Sequence, residues 1–137
     1  MKFYRKWIKK AEPSQVQSKP LDPGNIPPPQ DAQGYLNRGV VFYARRQYEQ
    51  AIQDLLQAAS LDASLVDPHY CLGMAYKASQ QNSEAIQAFQ QALAQLEKQT
   101  ILRAEAKTML RRLALAHINE IQTGNWNLEK EIWRHIP

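Results

Sequence analysis

From Asp31 onward the apolar side chains recur every third and fourth position rather than every second, which lines them along one side of a helix. Ala, Leu, Gln, Glu and Arg dominate this stretch and β-branched residues are sparse, both favouring helix. The pattern predicts helices at about 31–45, 48–60, 66–79, 83–97 and 100–122, with a short one near 127–135. Each connection spans a few residues, so consecutive helices are expected as antiparallel neighbours in an all-α array. Upstream the periodicity is absent. Residues 11–30 hold six of the eight prolines, and proline lacks the N–H that helices and strand ladders need. Pro27-Pro28-Pro29 favours an extended spacer, so this segment reads as a linker.

The helical stretch repeats itself at an offset of 34 residues. Gly39 maps onto Gly73, Phe42 onto Tyr76, Ala51 onto Ala85, Ile52 onto Ile86 and Ala58 onto Ala92. The first unit reads Tyr35-x-x-Arg38-Gly39-x-x-Phe42 and then Tyr48-x-x-Ala51-x-x-x-Leu55-x-x-Ala58. The second reads His69-x-x-Leu72-Gly73-x-x-Tyr76 and then Asn82-x-x-Ala85-x-x-x-Phe89-x-x-Ala92. Glycine inside a helix costs about 1 kcal/mol against alanine, so Gly39 and Gly73 imply a close approach, expected here to be another backbone. Ala51 and Ala85 are small enough to let the second helix of each pair come near the first.

On these residues the chain resembles the tetratricopeptide repeat family, whose unit is a helix–turn–helix of this length. The resemblance covers about 32–97 and implies a short right-handed solenoid. Arg38 departs from the family's usual leucine, Arg46 from a common glycine, and Ala63 and Glu97 from the repeat-closing proline, which suggests looser ends. Two units fall short of the three or so that bury both faces of a solenoid. A stripe of Ile101, Leu102, Met109, Leu110, Leu113, Ala114, His117, Ile118 and Ile121 is expected to cover the second unit. Gly124-Asn125-Trp126 reads as the turn of a degenerate third unit, with Leu128, Ile132 and Trp133 in its second helix. The organisation expected is a head at 1–10, a linker at 11–30, two repeats at 31–97 and capping helices at 98–137.

Charge sharpens this division. The net +4 of the 137-residue chain lies entirely in residues 1–30, where six Lys and Arg face two acids, while residues 31–137 carry eleven of each sign. The head MKFYRKWIKK joins Lys2, Arg5, Lys6, Lys9 and Lys10 to the aromatic Phe3 and Trp7. Lys9 and Lys10 directly follow Ile8, so the apolar run of an export signal does not develop. Such a head suits a reversible contact with anionic membrane or a docking contact with a larger complex, and less well a nucleic acid. No run reaches the roughly 18 apolar residues of a membrane-spanning helix, and the expected setting is cytoplasmic, with membrane-peripheral attachment as its extension.

A single cysteine, Cys71, gives no partner for an intrachain disulfide and no thiolate cluster for zinc. His69, His117 and His135 are far apart, and His69 and Cys71 point to different faces of a helix. His117, on the apolar stripe, reads as a packed histidine. Ser60, Ser64, Ser79 and Ser83 stand at helix ends, where hydroxyls cap free N–H groups. No phosphate cradle or nucleophile elbow is present, and no catalytic residue, cofactor or metal is assigned.

The resemblance implies instead a concave groove, lined by the first helix of each unit, that binds extended peptides or partner helices. Carried over by position, its residues are Gln33, Leu36, Val40, Tyr43 and Ala44 in the first unit, and Asp67, Tyr70, Met74, Lys77 and Ala78 in the second. Relatives that grip a terminal carboxylate place lysine and asparagine here. Leu36, Val40, Tyr70 and Met74 argue for an apolar, aromatic groove with Lys77 at its edge. The expected function is non-catalytic protein–protein interaction, as a scaffold, adaptor or assembly factor.

Overall fold

The structure is a computed structural model that describes residues 28–126. Five helices follow one another: α1 (Ala32–Ala44), α2 (Tyr48–Leu61), α3 (Val66–Ala78), α4 (Asn82–Lys98) and α5 (Ala104–Thr123). No strand occurs among the described residues. The basic head, the linker up to residue 27 and the expected helix at 127–135 lie outside them.

Helices α1 and α2 form one hairpin and α3 and α4 a second; α2 then packs on α3, α4 on α5, and α1 touches α3. The fold is the expected all-α helical-repeat array. Its core has two parts. Leu36, Ala51, Ile52, Leu55, Ala58, Leu72, Ala75 and Ala88 fill the first hairpin and its junction with the second. Ala85, Phe89 and Ala114 join α4 to α5, flanked by Tyr70, Met74, Leu93, Ile118 and Ile121. The half-buried Tyr76 touches both clusters.

The two glycines that repeat at the 34-residue offset, Gly39 and Gly73, are explained by side chains. A Cβ on Gly73 would stand 2.6 Å from the Phe89 ring, and one on Gly39 would stand 2.9 Å from Leu55 Cγ. The close approach expected of a backbone is therefore made by the large residue of the second helix, which lies over the glycine. At Gly39 a backbone atom, the Ala51 carbonyl at 3.4 Å, comes near as well.

The ends of the hairpins are tighter than their departures suggest. Arg46 (φ 61°) and Gln80 (φ 62°), also 34 residues apart, both take the left-handed conformation where α1 and α3 end. The N–H of Gln47 reaches the Phe42 carbonyl and that of Gln81 reaches the Tyr76 carbonyl, closing the same helix-ending turn twice. Arg38, in place of leucine, donates Nε to Asp54 Oδ2 at 2.7 Å and Nη2 to Oδ1 at 2.8 Å. Its guanidinium also lies 5.8 Å from the ring centres of Tyr35 and Phe42.

Two further expectations change. Helix α5 begins at Ala104, leaving Ile101 and Leu102 in an exposed turn, and Met109 is 60% exposed. The covering stripe thus runs only from Leu110 onward, with Ala114, Ala116 and His117 buried. Ser60 and Ser79 donate to the carbonyls of Gln57 and Tyr76 rather than capping N–H groups. The side-chain cap that does appear at a helix start is Asp31, which accepts from the Gly34 N–H at 2.7 Å.

Candidate functional site

The contact between α1 and α3, and the bonds from α3 to α5, place the first helix of each hairpin on one side of the array. The groove residues anticipated from the repeat pattern divide into three groups on this side. Leu36 is only 6% exposed and packs in the cluster containing Leu72 and Ala75, so it belongs to the core and not to an open groove. Its correction has a simple cause: at this position the helix faces its neighbour in the next hairpin, and a leucine there is drawn into the junction.

Val40 is 43% exposed, and Gln33, Ala44, Asp67 and Ala78 are exposed as well. Gln33 donates to Asn37 one turn further along α1. Tyr43 is half-buried with its ring 5.7 Å from that of Tyr48, and burial raises its hydroxyl pKa. These residues form the open part of the face.

Tyr70, Met74 and Lys77 are engaged by α4 and α5. The Tyr70 ring meets Phe89 edge-on at 5.6 Å, its Oη lies 3.1 Å from His117 Nε2, and burial raises its pKa. Met74 packs beside the Phe89–Ala114 cluster. Lys77 Nζ is 2.5 Å from Glu120 Oε2 and 3.1 Å from His117 Nδ1. Lys77 is therefore the centre of a polar network.

His117 is buried beneath this network. Its ring stacks on Phe89 at 4.9 Å with planes 2° apart, and Trp126 closes against it at 4.7 Å. Burial, followed by the neighbouring Lys77 charge, lowers its pKa to about 4, with Glu120 partly opposing. A lysine ammonium can only donate, so Nδ1 of the neutral ring accepts from Lys77 and the ring proton sits on Nε2, facing Tyr70 Oη. The Lys77 ammonium in turn holds the Glu120 pKa below its ordinary value.

Trp126 is the residue that the repeat pattern did not single out as a contact. Gly124, in the left-handed conformation, ends α5, and the Asn119 amide donates to the Asn125 carbonyl. The chain thereby turns back so that Trp126 lies over His117 with Lys77 Nζ 5.5 Å from its ring, while remaining 47% exposed. The signal available in the sequence was a tryptophan just after a helix-ending glycine.

Cys71 is half-buried, and burial lifts its pKa to about 11, the opposite of an activated thiol. Among the described residues no three His, Cys, Asp or Glu side chains are grouped to hold a metal, and no helix is long and apolar enough to cross a membrane.

A tetratricopeptide-repeat family model matches residues 39–80, and a second matches residues 66–98. Comparison with curated proteins yields no match. Together the matches run over residues 39–98, through the hairpins whose glycines are overlaid by Leu55 and Phe89, and on this geometry and these matches the chain contains tetratricopeptide repeats.

Proposed function

We propose that the protein is a non-catalytic interaction module, a scaffold, adaptor or assembly factor, that receives an extended peptide or a partner helix on its concave face. Repeats of this family generally mediate contacts between proteins. The observation carrying the specific reading is the exposure of Val40 and Trp126 on a side where Ala44 and Ala78 leave room for an incoming chain. Tryptophan supplies large contact area at low entropy cost and dominates many interfaces. The second hairpin contributes through Trp126, which lies over Lys77, rather than through Tyr70 and Met74 directly. The cytoplasm is the compartment this reading carries with it.

The test is affinity capture from native cells with the full chain, with residues 31–137 alone, and with a Val40→Glu/Trp126→Ala variant. The partner should be retained by the first two, also at raised salt, and lost by the third. Two carboxylate oxygens desolvated against an apolar ligand, together with a lost aromatic anchor, account for that loss. Retention by the variant would move recognition to the convex face. Loss on removing residues 1–30 would move it to the basic head.

A further inference from the structure

The turn joining α4 to α5 exposes two adjacent large apolar side chains. Ile101 is 91% exposed and Leu102 is open to solvent beside it, with Met109 exposed on the second turn of α5. Gln99 Nε2 donates to the Ser64 carbonyl at 2.9 Å, tying this turn to the α2–α3 turn, which follows the exposed Leu61. Single exposed apolar residues are ordinary, but several gathered along one edge mark a contact surface.

The surrounding charge is net positive. Between residues 97 and 112 there are five Lys and Arg and two acids, and one of those acids, Glu97, is held by Arg111. Lys98, Arg103, Lys107 and Arg112 have no ion-pair partner among the described residues. Glu105 and Asp62 are the other acids nearby, and Asp62 is engaged by the Ser64 hydroxyl and N–H. An apolar tip fringed with cations matches the bilayer interface, where acyl chains lie beneath anionic headgroups. Shape favours the same occupant. A projecting turn cannot enclose a peptide side chain, whereas a fluid surface can enclose the turn.

We propose that this edge is a docking surface for anionic lipid bilayers, with Ile101 and Leu102 entering the interface and Lys98, Arg103, Lys107 and Arg112 meeting the headgroups. It is separate from the concave face and leaves that face open to a protein partner. The contact is reversible and weakens with salt, because few apolar groups enter and the rest of the attraction is screened.

The experiment uses the full chain with phosphatidylcholine vesicles, plain or containing about 30 mol % phosphatidylserine. Binding is expected to the anionic vesicles only, and an Ile101→Ser/Leu102→Ser variant with an unchanged helical spectrum should partition roughly tenfold more weakly. A polarity-sensitive fluorophore on Ile101→Cys, with the poorly reactive Cys71 left in place, should brighten when anionic vesicles are added. Absence of binding by the natural chain would overturn the proposal. So would equal binding by the double variant, which assigns attachment to the basic head. A fluorophore shielded before vesicles are added would show the edge covered by the chain itself, and a dimer that the double substitution dissociates would make it an interface between copies. Either result also overturns the proposal.

Discussion

Arg38 and Asp54 form a two-bond ion pair across the first hairpin, and 34 residues on the same two positions hold Leu72 and Ala88. The chain thus contains both a charged and an apolar solution to one packing problem. Asp54 is buried and Arg38 partly so, and the hydrogen bonds to Asp54 raise the arginine pKa further. Asp54→Ala alone should cost about 2–3 kcal/mol by stranding the guanidinium. Arg38→Leu combined with Asp54→Ala, which copies the second hairpin, should cost less than about 1 kcal/mol or stabilise. Urea denaturation of the four members of the cycle measures the coupling; additive single effects would show that the pair contributes nothing.

The overlap of Gly73 with Phe89 predicts unequal costs in the two repeats. Gly73→Ala sets a methyl group against a rigid aromatic ring and should destabilise by about 2–3 kcal/mol, and Gly73→Leu by more. Gly39→Ala meets the branched end of Leu55, which can shift, and should cost roughly half as much. Adding Phe89→Leu to Gly73→Ala should recover part of the loss. Thermal midpoints that rank the two alanine variants the other way would contradict the packing described.

The helix-ending turns offer the reverse test. Arg46 and Gln80 hold positive φ without being glycine, a conformation that costs side-chain-bearing residues about 1 kcal/mol. Arg46→Gly and Gln80→Gly should each stabilise by about 0.5–1 kcal/mol, less whatever the more flexible unfolded chain gives back. A fall in the denaturation midpoint for both would mean that the side chains contribute contacts outweighing the strain.

Acid should weaken the fold through His117. The unfolded ring takes up a proton near 6.5 and the folded one only near 4, so the unfolded state binds more protons between those values. The stability involved is fully present above pH 6.5, declines as the pH falls toward 4, and amounts to about 2–3 kcal/mol. Glu120, whose pKa is lowered by Lys77, acts in the same direction below its ordinary range. Chemical denaturation between pH 4 and 7 should show this slope, and His117→Gln should flatten it. A flat profile for the natural chain would place the ring in a wetter setting.

Much of the fold could be read from apolar spacing and the 34-residue offset, because helix periodicity and repeated small residues both survive in one dimension. The first four helices begin and end within one residue of their anticipated bounds. The start of α5 was harder to see because Ile101 and Leu102 continue the stripe by spacing alone, and Arg103 gives no side-chain cap to mark the boundary. Pairings between positions were less visible still. The Arg38–Asp54 pair leaves no mark in apolar spacing, although comparison with Leu72 and Ala88 held the clue. Leu36 was placed in the groove, and Lys77 at its edge without Glu120 and His117, because position within a repeat says which way a residue points but not which neighbour lies there.

The contacts around His117 also have a direction. Lys77 gives hydrogens to Glu120 and to the ring, and the ring gives its one hydrogen to the Tyr70 oxygen. The phenol at the end of this chain acts as a receiver, so its own hydrogen is left to be offered elsewhere. A cation fixed to α5 by a carboxylate thereby decides, two residues away through hydrogen bonds, that Tyr70 presents a donor. An acceptor set beside that hydroxyl would complete the sequence, and a second donor would oppose it.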